Sequence, residues 1–318
     1  MSVRKNKPAQ RRNTRRRKAS RTKNSSFGWK FILFLIVLCL LFYLLLYFAP
    51  QIMSRLGMRP DESRYKMEEP AGSAARTART ARVRPSHYKD LEIPAPFADS
   101  RPHRLRAYTA YTISYNNEWR LPNWVAYELT RDELAVRVKR TDDFRPDEKM
   151  SGRQASLADY RKSGFDRGHM APAADMRWDA TAMTESFYLT NMCPQTPALN
   201  RGDWERLEDQ IRVWAERDSA IVIVCGPIVS SADTTIGSNR VKVPSAFYKV
   251  IVAPYVDEER GIGFIFANDP ERKKLPLSRY AVTIDSIETL TGIDFFPALP
   301  DEIENRIESR YDLREWNL

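Results

Sequence analysis

The sequence predicts an α+β domain, and three observations support this. Stretches rich in aromatic and branched residues mark strands at 124–129, 221–224, 247–252 and 263–267. Apolar residues recur at helical spacing in two places: Met176, Ala180, Met183 and Phe187, then Trp204, Leu207, Ile211 and Trp214. Strands and helices are mixed without the regular β–α–β alternation of a doubly wound parallel sheet. The aromatics at helical spacing are read as core. No internal repeat is visible.

Charge divides the 318 residues unevenly. Residues 1–30 hold twelve Lys or Arg and no acid; residues 50–105 hold eleven basic and seven acidic residues. Residues 106–318 keep 28 basic against 34 acidic, a net charge of −6, although the whole chain is +10. A basic composition is therefore no argument for nucleic-acid binding by the globular part. Any phosphate binding there needs a local basic patch or a metal ion.

Residues 31–49 form 19 apolar residues without charge. As a helix they span ~28 Å, enough for a hydrocarbon core. Trp29, Tyr43 and Tyr47 suit the two interfaces, and the preceding cations favour a cytoplasmic N-terminus. The expectation is a single-pass membrane protein with everything after Pro50 extracytoplasmic; a cleaved signal peptide is the competing reading. Four segments follow: a basic tail at 1–30, a transmembrane helix at 31–49, a Pro-, Ala-, Ser- and Arg-rich linker or stalk at 50–105, and one domain at 106–318. The tail serves as a topology signal or attracts anionic headgroups or nucleic acid.

Of three cysteines, Cys39 lies in the apolar run, and Cys193 and Cys225 in the domain. No zinc spacing exists. Oxidising surroundings would permit a Cys193–Cys225 disulfide, while two buried thiols are the plainer reading.

Of three histidines, His87 and His103 fall in the linker. His169 alone follows an acid, a base and a glycine, in Asp166-Arg167-Gly168-His169. Imidazole titrates near neutrality and can take a proton from water. Gly168 would let the backbone adopt a conformation that aims Arg167 and His169 into one pocket.

Asn200-Arg201-Gly202-Asp203 reads as an N-cap opening the helix of Trp204 to Trp214. An Asn facing a cleft could instead offer its oxygen to a hard cation. Glu208 lies about 80° around and roughly 12 Å along an ideal helix from Asn200, so joint direct ligation is awkward and a bridging water more comfortable. Its plainer role is a solvated acid paired with Arg212.

Several ordered strings resemble the DNA/RNA non-specific endonucleases of the ββα-metal type, which include endonuclease G. The first is Phe165-Asp166-Arg167-Gly168-His169-Met170-Ala171-Pro172, like the family's DRGH signature. Residues 187–195 (Phe-Tyr-Leu-Thr-Asn-Met-Cys-Pro-Gln), 199–204 (Leu-Asn-Arg-Gly-Asp-Trp) and Leu207-Glu208 follow. Flanking segments at 115–119, 124–127, 225–227 and 291–297 also look like the family. DRGH alone is short; the ordered intervals from His169 through Asn191 and Asn200 to Glu208 are specific.

The resemblance implies a central, mainly antiparallel sheet flanked by helices, and hydrolysis of DNA and RNA with little sequence specificity to 5′-phosphate products. It implies His169 as general base, Asn200 as direct ligand of Mg²⁺ (Mn²⁺ able to replace it), and Glu208 as the acid orienting water at the metal. Arg167 would contact phosphate, Asn191 would brace the site, and Asp166 and Gly168 would be structural. An upstream arginine would also contact substrate, with Arg140 as the candidate and the nearby Arg145 as the alternative. Some relatives dimerise; an inhibitor partner would leave no trace in the sequence. The other readings are a catalytically inactive, membrane-tethered nucleic-acid-binding module, and a scaffold whose basic tail acts inside the cell.

Overall fold

The computed structural model describes residues 88–135 and 137–318. Eleven strands are found among them. β1 (Arg104–Ala107), β2 (Thr112–Asn116), β3 (Leu121–Thr130), β6 (Ala220–Ile228), β9 (Ala246–Ala253), β10 (Arg260–Ala267) and β11 (Ala281–Val282) join, in that order, into one seven-stranded antiparallel sheet. β4 (Asp166–His169) pairs with β5 (Met192–Gln195), and β7 (Thr235–Ile236) with β8 (Val241–Lys242), as separate antiparallel ribbons. The helices are α1 (Arg131–Ala135), α2 (Leu157–Tyr160), α3 (Ala180–Glu185), α4 (Glu205–Asp218), α5 (Ile284–Thr291) and α6 (Asp301–Glu308). The expected mixed architecture with a large antiparallel sheet is thus present, and the four expected strands lie within β3, β6, β9 and β10.

The central strands are buried on both faces, so they read as apolar runs rather than alternations. Their period-two geometry divides the side chains between two cores. Ile221, Ile223 and Cys225 of β6 enter the first; Val222 and Val224 enter the second. Helix α4 covers the first core with Leu207, Ile211 and Trp214, each contributing roughly 1.5–3 kcal/mol on burial. Ile284 and Ile287 of α5 and Ile307 of α6 cover the second. The two helices therefore lie on the face of the sheet opposite α4. Leu91, in the stretch read as linker, is buried in the second core.

Two helix expectations need correction. The periodicity of Met176 to Phe187 predicts one helix, but only Ala180–Glu185 is helical. The Asp179 carboxylate accepts from the backbone N–H of Thr181 (2.7 Å) and Ala182 (2.9 Å), so the helix starts there. Met176 and Phe187 are core residues outside it. Likewise, Asn200 caps nothing. It sits in a wide turn, Leu199–Trp204, where Gly202 departs from helical angles (φ −122°, ψ −109°), and α4 begins only at Glu205. The ideal-helix separation between Asn200 and Glu208 therefore does not apply.

The segment 31–49 lies outside the described residues, as do the basic tail and His87. Among the described residues, no helix is long and apolar enough to cross a membrane. Cys193 and Cys225 are buried free thiols, not a disulfide.

Candidate active site

The DRGH residues form strand β4, and its partner β5 locks their register: Gly168 stands opposite Cys193 and His169 opposite Met192. What Gly168 provides here is space for the Gln195 side chain rather than an unusual backbone angle. A Cβ there would fall 2.0 Å from Gln195 Oε1. The buried Gln195 side chain thus lies flat against the strand one residue before His169.

Two aromatic rings pack edge-on against the half-buried imidazole of His169: Phe187 at 5.1 Å and Phe144 at 5.6 Å between centroids. Its Nε2 has no hydrogen-bond partner. Burial, with the positive charges of Arg140 and Arg167, pushes the imidazole down to about 3 against a weaker opposing pull from Asp142. His169 is therefore neutral at physiological pH. The exposed Arg167 lays its guanidinium 4.0 Å over the Phe144 ring, and Arg140 lies 4.8 Å over Phe187. Of the two upstream arginines, Arg140 is thus the one brought to His169. Arg145 stacks at 4.3 Å on Tyr188 and is held by Asp143 (2.8 Å) and the Thr184 carbonyl (3.1 Å).

Asn191 is wholly engaged. Its Oδ1 accepts the Ala171 N–H, and its Nδ2 donates to the carbonyls of Ala171 and Ser186, each at 2.9 Å. It fixes the chain just beyond His169 and has no donor left for a substrate. Trp204 Nε1 donates to the His169 carbonyl (3.2 Å), so the residue ahead of α4 also pins this strand.

Asp166 joins strand and turn. Its Oδ2 accepts from Asn200 Nδ2 (3.0 Å) and Arg201 Nε (2.8 Å), and its Oδ1 from Arg201 Nη2 (2.7 Å). Burial alone would raise this carboxyl, but the bonds from Arg201 and Asn200 outweigh it and hold it below the usual range. With its nitrogen tied to Asp166, Asn200 keeps Oδ1 clear of protein donors, a hard oxygen suited to a hard cation.

Glu208 does not pair with Arg212. That arginine bonds the buried Asp175 at 2.6 Å and also pairs with Asp209. Glu208 faces Lys249 instead, 3.6 Å from its Nζ. Lys249, on β9, is fully buried, reaches the Met170 carbonyl at 3.4 Å and lies 4.3 Å over the Trp204 ring. Burial pushes Glu208 up to about 7, the Lys249 charge opposing and Asp175 adding to the rise. Oε1 is the Glu208 oxygen that faces the Lys249 ammonium; at that distance it makes no hydrogen bond and can still accept one from a water. Lys249 escapes notice in the sequence, yet it leaves a signal: a lone charge inside the otherwise uncharged strand Ala246–Ala253.

Comparisons with known proteins bear on the family of the chain. The family model for the DNA/RNA non-specific endonucleases matches residues 95–302. Endonuclease G, mitochondrial, of Homo sapiens is 34% identical over 207 residues, covering 61% of this chain and 70% of that protein. Nuclease EXOG, mitochondrial, of Danio rerio is 37% identical over 209 residues, 61% of each chain. A nuclease of Nostoc sp. is 35% identical over 213 residues, covering 64% of this chain and 76% of that one. A crystal structure of an EndoG/EndoGI complex superposes with TM-score 0.58 at 32% identity, covering 62% of this chain and 86% of that chain. Several relatives are mitochondrial nucleases, and no spanning helix occurs among the described residues. It is the mitochondrial relatives that contradict the expected single-pass membrane placement with an extracytoplasmic catalytic domain; residues 31–49 themselves lie outside the described residues. The match over 95–302, with the site built on β4, the Asn200 turn and α4, shows that the chain belongs to the DNA/RNA non-specific endonuclease family and is a non-specific endonuclease.

Proposed function

We propose that ribbon β4–β5 and helix α4 form the ββα-metal unit of this enzyme, which hydrolyses phosphodiester bonds in DNA and RNA to 5′-phosphate products with His169 as general base. The observation that carries this reading is the Asp166 carboxylate bonded to both Asn200 and Arg201, which brings the strand of His169 to the turn of Asn200.

Neutral His169 takes a proton from the water that attacks phosphorus; the P–O3′ bond breaks as the new P–O bond forms, and the departing 3′ oxygen takes a proton from solvent water. A phosphate arriving beside the ring favours the imidazolium and raises the basicity that burial suppresses. Arg167 and Arg140, both exposed, meet the charge that grows on the phosphoryl oxygens. Asn200, its nitrogen tied to Asp166, would offer the hard Oδ1 oxygen that suits Mg²⁺, or Mn²⁺ in its place, and the Glu208 carboxylate would take part at the metal through water. When bound, the ion supplies Lewis-acid charge at the phosphate. Glu208, held by Lys249, orients water. No step uses a 2′-hydroxyl, and every proposed contact is to phosphate, which carries no sequence information directly.

The test incubates the full chain with plasmid DNA and with RNA, in Mg²⁺, Mn²⁺ or EDTA, and analyses the fragment ends. Both polymers are degraded with either metal, EDTA stops the reaction, and the new ends carry 5′-phosphate. Intact RNA, EDTA-resistant cleavage or 5′-hydroxyl ends would contradict the reading.

A further inference from the structure

On the face of the sheet opposite α4, three carboxylates converge. Asp285 and Glu288, one turn apart on α5, meet Glu308 from the end of α6, with one oxygen of each within 4.8 Å of the others. Among the described residues this is the only such acidic group. Asp285 is exposed, Glu288 half-buried and Glu308 buried.

Glu308 is in an unfavourable place for an acid. It is 6% exposed, and its Oε1 has no hydrogen-bond partner. It closes α6, and a helix C-terminus carries partial negative charge that disfavours another anion. Glu304 and Asp294 add further repulsion. Glu288 is held in place by the Phe295 N–H, which donates to its Oε1 at 2.8 Å. A buried carboxylate without a partner is costly and is ordinarily neutralised by a counter-charge, a metal or a proton.

We propose that Asp285, Glu288 and Glu308 bind a hard divalent cation, Ca²⁺ in preference to Mg²⁺, which clamps α5 to α6 on the face of the sheet opposite α4. The donors are all carboxylate oxygens, which select hard cations. Three carboxylates from two helices, with the Asp285 side open to water, suit the six to eight oxygens and adaptable geometry of Ca²⁺; Mg²⁺ usually takes only one or two carboxylates and keeps its waters. The cation would occupy the place where Glu308 otherwise lacks a partner. The alternative state is a protonated cluster: burial, with the neighbouring acids, pushes Glu308 up to about 9 and Glu288 to about 7.

The test titrates CaCl₂ into the metal-free full chain by calorimetry. The parent carries Asn200→Ala to weaken the nuclease centre, and Glu288→Gln or Glu308→Gln is added to it. Both substitutions keep side-chain size and remove charge. Melting of each protein in EDTA verifies folding and gives the baseline for a Ca²⁺-induced rise in Tm. The proposal expects saturable binding of one Ca²⁺ by the parent, at least tenfold weaker binding and loss of the Tm rise in either glutamine variant, and poor competition by Mg²⁺. A folded parent that binds no Ca²⁺, or isotherms unchanged by both glutamine substitutions, overturns it and leaves the protonated cluster. Competition by Mg²⁺ equal to that of Ca²⁺ overturns the stated preference.

Discussion

Asn200 Nδ2 donates to the Asp166 carboxylate at 3.0 Å, tying the turn ahead of α4 to the strand that ends in His169. An amide has one donating and one accepting end, so fixing the nitrogen on Asp166 decides where the oxygen points.

Replacing Asp166 by Ala should therefore act through the metal. Loss of an outer partner of a ligand typically costs ~10–100-fold in metal affinity or activity. We expect the Mg²⁺ concentration for half-maximal cleavage to rise by about that factor, with much of kcat regained at saturating Mg²⁺. A loss of kcat that no Mg²⁺ concentration relieves would show that Asp166 acts otherwise.

Lys249 lies 3.6 Å from Glu208 and opposes the burial that raises its carboxyl to about 7. In Lys249→Met the opposing charge is gone and the Glu208 pKa rises further. At pH 7 a smaller fraction is ionised, so cleavage slows and recovers as pH increases. The acid limb of the pH–kcat profile should move to higher pH, whereas a uniform loss at every pH would point to a packing role alone.

The two halves of the site differ in how far the sequence reveals them. Asp166 to His169 and Asn200 to Glu208 are local strings, legible because their chemistry is concentrated in a few adjacent residues. The Asp166–Asn200 and Glu208–Lys249 pairs join residues far apart in sequence, and no local pattern reports them. Asn200 reads as a cap because Ser, Asp and Asn before an apolar helix usually are caps. The break at Gly202 places the true helix start five residues later, at Glu205. Long buried strands such as β6 and β9 stand out by their apolar runs, but four-residue β4 and β5 are too short to show a period. The adjacency of β3, β6 and β9 in the sheet is set by tertiary packing, not by order along the chain.

Gly168→Ala would drive a methyl group to within 2.0 Å of the Gln195 amide oxygen. Overpacking of this kind costs typically 1–3 kcal/mol. Denaturant unfolding should show a loss of about that size, and Gln195→Ala in the same chain should restore part of it. An additive double mutant would contradict the clash.

His169 also makes the fold acid-sensitive. Its folded pKa, about 3, lies below the ordinary 6.5, so the unfolded state binds the extra proton between those values. The stability gained from keeping the ring neutral is present above pH 6.5 and is lost as pH falls toward 3. His169→Gln has no such titration. Thermal melts from pH 7 down to pH 4 should show a shallower fall in Tm for the variant than for the parent; parallel curves would contradict a depressed His169.

The most direct test of the account is single-turnover cleavage of DNA and RNA by His169→Ala at saturating Mg²⁺, with folding verified by thermal melting. A positioned general base contributes typically 10²–10⁴-fold. The account predicts a loss in that range on both polymers, with substrate binding retained. Turnover within a few-fold of the parent on either polymer would contradict His169 as the base.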